Sequence, residues 1–306
     1  MPNRTSLIPV LLAALLTGCA TTPPPTAASF TPMQWPALTE RAKPAPDATI
    51  TYGSDALQKV DVWLPQGTRP HRTVLMVHGG CWTTSIADRN LMNWIADDLR
   101  SDGYAVWNVE YRGVDVPGGG YPGTFQDVAA ATDALRDNAA RFGLNATKVV
   151  AVGHSAGAHL ALWLAARPKL PADSPLHTAT PLPIAHVVSL GGLPDLEATA
   201  AATDNGCGTD VVRELVGPSP TEKRDVYRDT SIPRLLPIGV PFDQIAGDKD
   251  RIIPARLPLD FDAKARAAGD AATLTVVPDT GHVELIAPET AAWAKAKRRI
   301  AAAFAR

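Results

Sequence analysis

From Thr49 onward, short apolar runs alternate with longer stretches in which apolar residues recur every three or four positions. Val60–Leu64 alternates like a half-buried strand. Thr73–His78, Ala105–Val109, Val149–Val152, His186–Leu190, Phe242–Ala246 and Leu274–Val277 are near-continuous apolar runs, the signature of strands buried on both faces of a parallel sheet. The intervening helical patterns cover 90–101, 124–141, 155–167, 254–268 and 288–303. Strand–helix alternation over this length predicts one α/β domain with a mostly parallel sheet. The five prolines of Arg167–Pro183 predict a loop. Gly191–Val240 is the longest stretch between strands, with short helices expected around Thr209–Val216 and Thr221–Tyr227. It is the expected cover over a site.

The first residues follow a different pattern. Leu7–Leu16 is apolar but too short to cross a bilayer, which takes about 20 residues. It follows Arg4 and ends in Leu16-Thr17-Gly18-Cys19. This run resembles a bacterial lipobox, in which the cysteine is lipidated and becomes the new N-terminus. The resemblance implies a signal peptide over 1–18, a Pro-rich tether over 19–32 and a folded domain over 33–306. It also implies a membrane anchor at Cys19 and a place in the cell envelope, with Ala20 rather than aspartate pointing to the outer membrane.

Composition narrows the picture. The 306 residues are 45% hydrophobic and 20% charged, with 29 Lys+Arg against 31 Asp+Glu. This excludes a disordered chain and offers no basic surface for nucleic acid. The three cysteines form no metal-binding pattern. With Cys19 lipidated, Cys81 and Cys207 remain, and the sequence reading leans toward two separate thiols over a bridge.

Candidate chemistry sits at the ends of the apolar runs. Gly153-His154-Ser155-Ala156-Gly157 joins a strand to a helix, and G-x-S-x-G at such a junction presents a serine on a sharp turn. A serine hydroxyl needs a base within reach, and His282, on the loop after Leu274–Val277, is the histidine far downstream with an acid in between. That acid is Asp250 in Gly247-Asp248-Lys249-Asp250, with Asp248 as its competitor and a turn residue by preference. His78-Gly79-Gly80-Cys81-Trp82 follows another strand. Backbone amides of Gly79, Gly80 and Ala156 are the expected oxyanion donors, with Cys81 as a possible substitute for one glycine. His78 is expected to hold the loop, and Trp82 is equally pocket wall or core.

Together, HGGCW (78–82), EYRG (110–113), GHSAGAHLALW (153–163), GDKDRIIP (247–254) and GHVELI (281–286) resemble the α/β-hydrolase superfamily. They resemble most its HGGxW branch, which includes kynurenine formamidases, and next the hormone-sensitive-lipase-type esterases. The resemblance implies an eight-stranded, mostly parallel sheet and a serine hydrolase with no metal or cofactor. It implies Ser155 as nucleophile, His282 as base and Asp250 as its orienting acid, acting on small acyl esters. The alternatives are an arylformamidase with the same residues and a non-catalytic binding lipoprotein on the same scaffold.

Overall fold

The computed structural model describes Met1, Pro2 and residues 30–217 and 225–306. Residues 3–18 of the expected signal peptide, the lipidation site Cys19 and residues 20–29 of the tether lie outside the described residues, as does most of the helix expected around Thr221–Tyr227. Among the described residues, no helix is long and apolar enough to cross a membrane.

Eight strands form one sheet in the order β1-β2-β4-β3-β5-β6-β7-β8. They are β1 (Ala48–Thr51), β2 (Lys59–Trp63), β3 (His71–Val77), β4 (Ala105–Val109), β5 (Leu144–His154), β6 (Ile184–Leu190), β7 (Phe242–Gly247) and β8 (Ala272–Val277). β2 runs antiparallel to β1 and β4, and the pairings from β4 across to β8 are all parallel. This is the α/β architecture that the alternation of patterns predicts. The apolar runs are the central strands: β4 and β7 are buried throughout. The edge strand β1 alternates between half-buried and exposed positions, too weak a pattern to read in advance.

Alternate residues of each central strand feed two separate layers. On one face, Leu75, Val77, Ala151 and Val187 pack against Phe125 and Leu135 of α3 (Gly123–Phe142) and Leu160 and Trp163 of α4 (Ala156–Ala166). Phe261 of α7 (Arg256–Ala267) belongs to the same layer. On the other face, Val74, Met76, Val150, Val152 and Val188 meet Ile95 and Leu99 of α2 (Asn93–Ser101) and Trp293 and Ile300 of α8 (Ala291–Ala305). Full burial of each such side chain stabilises the fold by about 1.5–3 kcal/mol, so both faces fix the sheet.

Among the described residues there are three further short α-helices: α1 (Trp35–Thr39), α5 (Leu196–Ala201) and α6 (Asp210–Val216). Neither α1 nor α5 is apparent in the sequence pattern. At five and six residues they are too short to show a helical period.

The segment from Thr31 to Pro44 is held at several places, Trp94 Nε1 donating to the Ala42 carbonyl at 3.2 Å among them. The Met33 amide donates to Glu284 Oε1 at 2.5 Å. Leu38 is fully buried in the second layer. Arg41 pairs with Glu289, and Asn93 Nδ2 donates to the carbonyl of Pro44 at 3.0 Å.

Candidate active site

In this sheet the strands end where ligands bind in open α/β folds, and the loops after β3, β5, β7 and β8 carry the candidate residues there. Ser155 follows the last residue of β5 with φ 56° and ψ −123°, a conformation that costs a non-glycine residue about 1–3 kcal/mol. Its surroundings enforce it. A Cβ on Gly153 would lie 2.2 Å from the carbonyl oxygen of Gly157, and one on Gly157 would lie 2.2 Å from that of Val77. The Ser155 amide donates to the Leu190 carbonyl at 2.8 Å. Ala156 opens α4, so its N–H is among the helix-terminal donors without an intrahelical acceptor.

The loop after β3 lies directly beside the serine. A Cβ on Gly79 would come within 2.9 Å of both Ser155 Cβ and His154 Nδ1, so only glycine permits this approach. Gly80, Cys81 and Trp82 all have positive φ, at 108°, 52° and 56°. His78 fastens the loop with both ring nitrogens, Nδ1 to the Gly79 carbonyl at 2.6 Å and Nε2 to Glu110 Oε1 at 2.8 Å. Burial pushes the Glu110 carboxyl up, but His78 and the amides of Arg89 and Tyr111 outweigh it and hold the group below its usual value. Arg112 forks onto Asp127 through Nε and Nη2, each at 2.7 Å.

Trp82 is fully buried and donates from Nε1 to His159 Nδ1 at 3.3 Å, so it belongs to the core. His159, held at a pKa of about 4 by burial, donates in turn from Nε2 to the Thr230 carbonyl at 2.8 Å.

Cys81 is bonded to Cys207, with the two Cα atoms 5.4 Å apart. This corrects the expectation of two separate thiols. The tertiary fold brings a loop 126 residues downstream against the positive-φ turn, a proximity that no local pattern encodes.

The loops after β7 and β8 meet edge to edge. A Cβ on Gly247 would strike the Thr280 carbonyl oxygen at 2.1 Å. Across this seam Asp250 Oδ2 accepts from His282 Nδ1 at 2.6 Å, while Asp250 Oδ1 accepts from the amides of Ile252 and Ile253, both at 2.8 Å. Asp248 instead binds Lys249 Nζ at 3.0 Å and the Thr280 amide at 3.3 Å. It acts as a turn residue that joins the two loops.

His154 lies beside His282 with its ring tilted by 45° to it, their ring centroids 4.4 Å apart. Burial, then the neighbouring His282, pushes its pKa well down, so the ring is neutral and Nε2–H donates to the His282 carbonyl at 3.2 Å.

Ser155, His154, His282, Gly80 and Cys81 line one cavity of about 420 Å³. Its other walls correct the expected cover. Among the described residues of Gly191–Val240, only Gly206 lines it. The remaining walls are Trp35 and Thr39 of α1, Ile86, Ala87 and Leu91 after β3, and Ile252. Residues 229–230 pack on α4 instead, where Trp163 Nε1 donates to the Asp229 carbonyl at 2.8 Å. Sequence reasoning missed Trp35, Ile86 and Leu91, and an isolated Trp-Pro or Ile carries no local signal. Among the described residues, no group of three or more His, Cys, Asp or Glu is placed to hold a metal.

This fold and strand-end site define an α/β-hydrolase. The sequence pattern of the BD-FAE family matches residues 60–264, and the chain belongs to that family. It is 26% identical over 269 residues to esterase LipC of Mycobacterium tuberculosis, an alignment covering 82% of this chain and 65% of that protein. The chain thus spans less than two thirds of the length of that relative. Among solved structures, a truncated carbohydrate esterase from gut microbiota superposes with a TM-score of 0.71 at 21% identity, covering 87% of this chain and 99% of the other. Esterase B of Lactobacillus rhamnosis superposes with a TM-score of 0.71 at 19% identity, covering 86% and 88%. At such identities the likeness speaks for the fold.

Proposed function

We propose that this protein is a serine esterase that hydrolyses small acyl esters through an acyl-enzyme. The observation that carries the reading is the His282–Asp250 hydrogen bond of 2.6 Å on a histidine that shares one cavity with the strained Ser155. The Ser155 hydroxyl attacks the ester carbonyl. Asp250 occupies Nδ1 of His282, which leaves Nε2 to take the hydroxyl proton and return it to the departing alcohol. Amides of Gly80 and Ala156, with Gly79 or Cys81, stabilise the tetrahedral oxyanion; one such donor contributes about 2.7–4 kcal/mol. Water then repeats the attack on the acyl-enzyme.

The cavity volume of about 420 Å³ lies toward the small end of ligand pockets, which run from roughly 300 to 1,000 Å³, and it suits short acyl groups. That the relatives named above are esterases supports the same reading. An alkyl phosphonate fluorophore is the direct test. It labels the wild type, and Ser155→Ala abolishes labelling. Acetyl-to-hexanoyl esters exceed N-formylkynurenine in kcat/KM by at least about tenfold, roughly 1.4 kcal/mol in transition-state binding. Absence of both labelling and ester turnover refutes the reading.

We also propose that Cys19 carries the lipid anchor that holds the enzyme at the cell envelope. Two or more acyl chains suffice for stable anchoring. Wild type partitions into a detergent phase and Cys19→Ser does not; a wholly aqueous wild type refutes the anchor.

A further inference from the structure

A second cavity, of about 240 Å³, lies beside the first. Trp35, Ile252 and His282 line both, so these three side chains form the partition between them. Ser155 faces only the first. The second is bounded beyond His282 by Pro32, Met33, Lys249, Arg251 and Val283.

The Trp35 indole stands edge-on to both site histidines, its ring centroid 6.1 Å from His282 and 6.3 Å from His154. The backbone behind it is fixed by the Met33–Glu284 hydrogen bond and by the buried Leu38. A side chain so held is a standing wall, unlike a loop that swings aside.

We propose that Trp35 determines specificity for the alcohol part of the ester by closing off the cavity beyond His282. This rests on the esterase reading above. His282 returns its proton to the leaving oxygen, so the alcohol departs on the side of His282, and the acyl carbonyl stays on Ser155. The space that opens when the indole is removed therefore lies along the leaving group's path and not along the acyl chain. Ile252 and His282 are poorer determinants. Ile252 leaves the partition's aromatic face intact, and His282 cannot be changed without removing the base.

The test uses two ester series on the full-length protein. One holds the acyl group at acetyl and enlarges the alcohol from ethyl to 2-naphthyl. The other holds 4-nitrophenol and lengthens the acyl chain from acetyl to octanoyl. Trp35→Ala is expected to raise the naphthyl-to-ethyl ratio of kcat/KM at least about tenfold over wild type, with the acyl-length profile unchanged. Trp35→Phe, which keeps an aromatic ring in place, is expected to raise it about threefold. It carries the test if the alanine variant fails to fold. Comparing ratios between enzymes cancels the intrinsic reactivity of each leaving group. An unchanged alcohol ratio overturns the proposal, as does a shift in the acyl profile instead. A wild type inactive on every ester overturns the esterase reading itself, an outcome distinct from either.

Discussion

Among the described residues, one histidine–carboxylate pair follows β3 and β4 and another follows β7 and β8, and they differ in what their second ring nitrogen does. His78 and Glu110 follow the neighbouring strands β3 and β4; Asp250 and His282 follow the neighbouring strands β7 and β8. The bonds are alike, 2.8 Å and 2.6 Å. His78 spends its other nitrogen on the Gly79 carbonyl and stacks on Tyr111 at 4.4 Å. His282 spends only Nδ1 and borders the cavity that holds Ser155. In the mechanism we propose, the same chemical pair is a fastener when both nitrogens are committed and a proton carrier when one is left for a substrate.

The largest effects should fall on the open pair's side. Ser155→Ala and His282→Ala are each expected to lower kcat by a factor of about 10⁴–10⁶ with an unchanged circular dichroism spectrum. Loss of secondary structure in either variant would make that residue a fastener too.

The acid of the open pair is the next point of attack. Asp250→Asn places the wrong donor against Nδ1 and should cost about 10⁴ in kcat. Asp248→Asn weakens only the bonds to Lys249 and the Thr280 amide; a surface change of about 0.5 kcal/mol, carried wholly into the barrier, changes kcat by no more than about threefold. The reverse ranking in steady-state assays would break the assignment of the open pair.

The closed pair and its loop should answer in stability. Cys207→Ser cuts the bridge to Cys81 and is expected to lower unfolding free energy by about 2–4 kcal/mol, read by urea titration without reductant. Activity should fall with it, since Cys81 adjoins Gly80, one of the proposed oxyanion donors.

Glu110→Gln is expected to cost about 1–3 kcal/mol at neutral pH. Because the native carboxyl sits below its usual value, it binds protons more weakly than in the unfolded chain. Its stabilisation is complete above the ordinary carboxylate range near pH 4.3 and is lost as pH falls through the native value. Urea midpoints between pH 7 and pH 3 should therefore fall more steeply for wild type than for the glutamine variant. Parallel curves would show that Glu110 does not hold the loop by its charge.

What could be read in advance follows how local each signal is. The central strands are legible because burial on both faces leaves an unbroken apolar run, and α3, α4, α7 and α8 because their turns repeat. Gly153 and Gly157 are legible because the close backbone approaches they permit admit no side chain. Asp250 and His282 could be nominated from their places after two strands, but their bond depends on β7 and β8 pairing in register.

By itself, then, the sequence determined the α/β class, the sharp turn under Ser155 and the loops from which donors and partners come, because periodicity and backbone sterics act over a few residues. Only the tertiary structure decided which walls enclose the cavity. Trp35 reaches His282 across 247 positions of chain, Cys207 reaches Cys81 across 126, and Trp35 and Thr39 line the cavity beside Gly206 of the expected cover. Such contacts are set by how two packed layers close around the sheet, and a lone tryptophan or cysteine carries no local pattern that records its eventual neighbour.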